Sequence, residues 1–98
     1  MKYEQLSDEY QADTLADALY AREVEFFHYD FDRGNFEKMI ESMPPSPFRE
    51  SIQARLSETL VQMGNVEAIY AALRSRITDP QAHAAAAARC AKKRREKV

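Results

Sequence analysis

The chain has 98 residues, 45% of them apolar and 31% charged, which suits one small folded domain and leaves no room for a separate catalytic domain. Its two glycines exclude the glycine-rich phosphate loops, and its single cysteine excludes an internal disulfide or a multi-cysteine metal site. The formal net charge of −2 hides two opposed halves: residues 1–50 carry 12 acids against 5 bases, and residues 51–98 carry 4 acids against 9 bases.

The expected class is all-α, a compact bundle of four to five helices. No segment alternates at the two-residue period of a strand. The first helix is predicted from about Ser7 to about Phe31, with Ser7 and Asp8 at its N-cap and acids favouring the positive end of its dipole. Its apolar residues form two stripes. Leu15, Leu19 and Phe26 point one way, and Ala16, Tyr20, Phe27 and Phe31 point roughly 100° further round. So broad an apolar surface calls for contact from two sides, within a bundle or across a homodimer interface. Glu23 and Asp30 lie between the stripes, with Arg55, Arg74 and Arg76 as candidate partners.

A break is expected at Asp32-Arg33-Gly34-Asn35, followed by a helix carrying Phe36, Met39, Ile40 and Met43. Met43-Pro44-Pro45-Ser46-Pro47 reads as a rigid connector in which Ser46 caps and Pro47 opens the next helix. That helix carries Phe48, Ile52, Leu56, Leu60 and Met63. Gly64-Asn65 reads as a second break, before an amphipathic stripe of Val66, Ile69, Tyr70, Leu73 and Ile77. Thr78-Asp79-Pro80 starts an alanine-rich helix that ends in a basic run. The domain is taken as 1–88 and the basic C-terminal tail, an extension of the last helix, as 89–98.

Chemistry-bearing residues are sparse. Glu25 and His28 form one Glu-x-x-His pair, with Asp32 on the same helix face. A di-iron bundle needs two such pairs, and no second exists here. A metal-binding bundle centred on Glu25 and His28 is therefore a subordinate alternative, and no metal or other cofactor is assigned. His83 and Cys90 are seven residues apart, about 10 Å along a helix, too far for a direct thiol–imidazole pair. Cys90 is read as a small packing residue or exposed thiol. No catalytic residue is assigned and the chain is read as a non-enzyme.

Charge carries the functional expectation. Acids dominate the first 41 residues, and Asp17, Glu23, Glu25, Asp30 and Asp32 are assigned to an acidic partner-binding face. Arg89, Lys92, Lys93, Arg94, Arg95 and Lys97 are assigned to a basic surface for a partner or nucleic acid. This tail has no aromatic for base stacking and no amide placed to read base edges. One cysteine, no apolar run behind the N-terminus and no membrane-length apolar window together predict a cytoplasmic protein that does not engage membranes.

The Gly64-Asn65-Val66-Glu67-Ala68-Ile69-Tyr70 segment and the short alanine-rich, basic ending after Asp79-Pro80 resemble the small accessory proteins of temperate bacteriophages of enterobacteria. The likeness covers the second half of the chain. It implies a non-enzymatic inhibitor of a host nuclease or a CRISPR surveillance complex, acting through charged surfaces that occupy a nucleic-acid channel. It transfers no functional residue. The leading expectation is thus a protein-interaction module that docks by charge complementarity on a nucleic-acid-processing partner. The first alternative is direct nucleic-acid binding by the last helix.

Overall fold

A computed structural model describes residues 7–97, which form three α-helices and, among the described residues, no strand. The helices are α1 (Asp8–Ser42), α2 (Pro47–Arg74) and α3 (Pro80–Glu96). Each begins at an expected cap. The Ser7 hydroxyl accepts from the Tyr10 amide at 3.1 Å, and Ser46 does the same for Arg49 at 3.1 Å. Asp79 accepts from the amides of Gln81 and Ala82 at 3.1 and 3.2 Å, with Pro80 in the first helical position. The end of α2 tightens into turns, where Arg76 and Ile77 donate to the carbonyls of Leu73 and Arg74.

Both expected interior breaks are absent, which reduces four or five helices to three. α1 runs through Gly34 and α2 through Gly64, and neither glycine has a positive φ. An interior glycine costs about 1 kcal/mol against alanine, too little to end a helix whose flanking turns are otherwise satisfied. Arg33 bridges the first site. It donates to Asp30 one turn back at 2.9 Å and to Glu37 one turn on at 2.8 Å, clamping the helix across Gly34. These bonds, to Asp30 first, raise the Arg33 pKa. At the second site Val66, two residues past Gly64, is 2% exposed, so packing holds the turn. A Cβ at either glycine would meet nothing within 4 Å. Gly34→Ala and Gly64→Ala should therefore each stabilise the protein by about 0.5–1 kcal/mol, read as a raised thermal midpoint. A lowered midpoint would mean that the structure needs a glycine there rather than merely tolerating one.

The chain divides into two compact units, each built from parts of these helices. The terminal unit comprises residues 7–21 and 71–97. Here α1 and α3 meet through small side chains: Ala16, Ala86 and Cys90 are buried, with Ala12 and Ala87 packed against them. The pairings Arg89–Asp13 and Arg94–Asp17 advance together along both helices, so these stretches run in the same sense.

The hairpin unit, Arg22–Tyr70, holds the rest of α1 and most of α2. Tyr70 meets Glu23 and Arg55 meets Phe36, so residue numbers rise along α1 as they fall along α2. This is an antiparallel αα-hairpin closed by the Met43–Ser46 connector. Ile52, Thr59 and Val66 are the buried side chains of α2, and the Thr59 hydroxyl is satisfied by the Arg55 carbonyl at 2.9 Å. A pair of helices covers one stripe of each and leaves the others open. Among the described residues, seven of the nine large apolar side chains that remain exposed lie in this unit: Val24, Phe27, Phe31, Phe48, Leu60, Val61 and Ile69.

Candidate interaction site

The basic residues of α3 have two fates. Arg89 donates to Asp13 through Nη2 at 2.7 Å and Nε at 3.1 Å, and lies 3.7 Å from Glu9. The Asp13 hydrogen bond is the main cause of its raised pKa. Arg94 pairs with Asp17 at 3.3 Å and lies 3.5 Å over the Tyr20 ring, a cation–π contact that occupies one exposed aromatic. Arg89, Arg94 and Asp17, all expected on partner surfaces, are thus engaged in ion pairs between α1 and α3 inside the terminal unit. Lys92, Lys93, Arg95 and Lys97 are exposed and form no ion pair among the described residues.

The acidic assignments fare differently. Glu25 pairs with Arg22 at 3.1 Å, and Asp30 pairs with Arg33. Glu23 is exposed and accepts from the Tyr70 hydroxyl at 3.1 Å. The partners expected for Glu23 and Asp30, arginines on later helices, are therefore replaced by a tyrosine and by an arginine of the same helix. An arginine one turn away needs no tertiary alignment to reach Asp30. His28 is exposed, with its ring 6.3 Å from Phe27 in an edge contact, and Asp32 is exposed. Among the described residues no three His, Cys, Asp or Glu side chains converge to hold a metal.

Cys90 is buried at the α1–α3 contact, where its thiol donates to the Asp13 carbonyl at 3.6 Å. Burial pushes its pKa up, and the nearby Asp17 adds to the shift. A group whose pKa is higher in the folded state stabilises the fold fully below its unfolded pKa and loses that contribution as pH rises toward the folded value. Wild type should therefore lose stability relative to Cys90→Ala as pH climbs above the ordinary thiol value of 9.0. A difference between the two proteins that does not change with pH in denaturant melts would contradict this. His83 is half-buried, and its Nδ1 has no hydrogen-bond partner among the described residues.

One concave feature of the hairpin unit joins exposed aromatic surface to a mostly acidic rim. It is a groove of about 500 Å³ between α1 and α2. Phe26 and Phe27 wall it from α1, and Val66 and Tyr70 from α2. Glu23, Asp30 and Glu67 border it, with Arg22 as the single cation. Phe27 is 66% exposed and Phe31, one turn on, is 63% exposed. Comparison with protein-family models, with curated proteins and with solved structures finds no match to this chain. The site therefore has to be read from its own geometry.

Sequence periodicity singles out Phe27 and Phe31 as a second stripe but expects both to be covered. It misses Glu67 and Tyr70 as site residues. Their only signal is the hairpin register, which sets Tyr70 beside Glu23 and so brings Glu67, three residues earlier, onto the same groove.

Proposed function

We propose that this chain is a non-enzymatic protein-interaction module that docks by charge complementarity on a nucleic-acid-processing partner, in the manner of a phage-encoded inhibitor of a host nuclease or CRISPR complex. The observation that carries the proposal is the hairpin unit. It exposes seven large apolar side chains, and its nine acids against five bases leave it at −4. Exposed apolar residues grouped on one unit mark interaction surfaces, and a one-sign field steers an oppositely charged partner. Of the acids assigned to the partner-binding face, Glu23, Glu25, Asp30 and Asp32 lie in this unit together with Glu67, and Asp17 lies in the terminal unit. The reading places the protein in the cytoplasm. No described helix is long and apolar enough to cross a membrane.

Affinity purification from host cytoplasm, with and without nuclease treatment, tests the proposal. A nucleic-acid-processing protein retained after nuclease treatment supports it. Recovery of nucleic acid alone, or of nothing, ends it.

A second reading, direct nucleic-acid binding, is favoured by Lys92, Lys93, Arg95 and Lys97, which stand exposed along the end of α3. Deleting the tail after Arg89 is the wrong test, because it removes buried Cys90 and the Arg94–Asp17 pair. Replacing the four exposed cations by Gln keeps both. If they hold duplex phosphates, the slope of log K against log salt should flatten by about 0.9 for each phosphate that is no longer neutralised. Unchanged binding and slope would eliminate this reading.

A further inference from the structure

We infer that the hairpin groove receives a basic amphipathic helix of a partner protein; this rests on reading the chain as an interaction module and names the part of the partner that it holds. The hairpin supplies two of the three helices that a closed apolar core needs. The trench between two antiparallel helices is the natural seat of a third, with anchors spaced one turn apart. Phe27 and Phe31 have that spacing and are both about two-thirds exposed. A groove of about 500 Å³ with Phe26, Val66 and Tyr70 in its walls takes bulky side chains such as leucine or phenylalanine.

Charge selects the occupant. Glu23, Asp30 and Glu67 border the groove against Arg22 alone; Arg22 is paired with Glu25 and Asp30 with Arg33, so among the described residues the rim acids left without an ion pair are Glu23 and Glu67. Glu67 forms no ion pair among the described residues. A helix with lysine or arginine beside its apolar stripe neutralises this rim; an acidic one is repelled.

A second copy is the weaker occupant on two counts. Hairpin against hairpin sets −4 against −4. The basic α3 of a second copy has the right charge, but the exposed residues preceding its cations include Ala82, Ala84, Ala85 and Ala88, none of which fills an aromatic groove.

The probe is a labelled leucine–lysine peptide of about five helical turns with its leucines on one face. Two controls accompany it: the same composition with the faces scrambled, and a leucine–glutamate counterpart. Binding is read by fluorescence anisotropy at low salt and mapped by amide chemical shifts on the full chain. The leucine–lysine helix should bind at least about tenfold more tightly than either control, with shifts centred on Phe26, Phe27, Val66 and Glu67. Glu67→Lys and Phe27→Ser should each weaken it several-fold. Both side chains are exposed, so unchanged circular dichroism melts confirm that the variants fold. Equal binding of all three peptides, a shift map on α3, or indifference to both variants overturns the inference. So does a stable dimer in sedimentation that Phe27→Ser dissociates, since the groove would then belong to a second copy. A bound peptide with no nucleic-acid-processing protein recovered from the host keeps the groove and removes the function. A recovered partner whose binding ignores Phe27 and Glu67 does the reverse.

Discussion

Ala86→Leu should lower the thermal midpoint by about 4–24 °C. Ala86 is 0% exposed, and Ala16 and Cys90 share its cluster at 5% and 3%. Helices that meet through alanine and cysteine approach closely, and the three added carbons of leucine have no space to enter. Overpacking of this kind costs about 1–3 kcal/mol. For a chain of this length each kcal/mol shifts the midpoint by roughly 4–8 °C. The same substitution at Ala88, one helical face away and exposed, should stay within about 0.5 kcal/mol of wild type. Hydrogen exchange sharpens the expectation. Protection should fall in α3 and the first turns of α1, while the amides of Ile52 to Val66 keep theirs, because the hairpin unit has its own buried side chains. Uniform loss of protection, or an Ala86→Leu melt that overlays the Ala88→Leu melt, would refute this account of the α1–α3 packing.

Ile52→Ala should be the most damaging simple truncation in the hairpin, at about 2–5 kcal/mol. Ile52 is 4% exposed, and only Thr59 and Val66 share its burial on α2. With so few buried side chains, nothing nearby can take over its role. A domain stability of about 5–15 kcal/mol leaves little after such a loss. Phe48→Ala, four residues earlier, removes a larger side chain, yet Phe48 is 59% exposed and its loss should be nearly silent. The two urea midpoints, measured side by side, decide the matter. A larger shift for Phe48 than for Ile52 would mean that the exposed apolar face is covered in solution.

That contrast has a bearing on function. The side chains that hold the hairpin together and the side chains that it offers outward are both apolar and both recur at helical spacing. On α2, Ile52 and Val66 are buried, whereas Phe48, Leu60 and Ile69 are exposed. Along α1 the second stripe splits the same way. Ala16 is buried against α3 and Tyr20 lies under Arg94, whereas Phe27 and Phe31 stay open. Stability and docking can therefore be varied separately, which is what the Phe27 and Glu67 substitutions require.

The helical class, the three helix starts and the connector between α1 and α2 were all legible in the sequence. These are local properties: Ser7, Ser46 and Asp79 each cap amides two or three residues away, and Pro47 and Pro80 tolerate only the first turn. The sequence also determined that charge is unevenly distributed, since composition alone carries that. Tertiary structure decided the rest. Gly34 and Gly64 look like helix ends because glycine weakens a helix locally, but the Arg33 clamp and the burial of Val66 outweigh about 1 kcal/mol each. Tertiary structure also decided which charges are spent internally. Asp13 and Arg89 are 76 positions apart, and only the packing of α3 on α1 brings them together. The groove itself arises from the hairpin register, which sets Tyr70 and Glu67 opposite Glu23 and Phe27. A one-dimensional pattern reports the face a side chain occupies on its own helix, and not which faces of which helices come together.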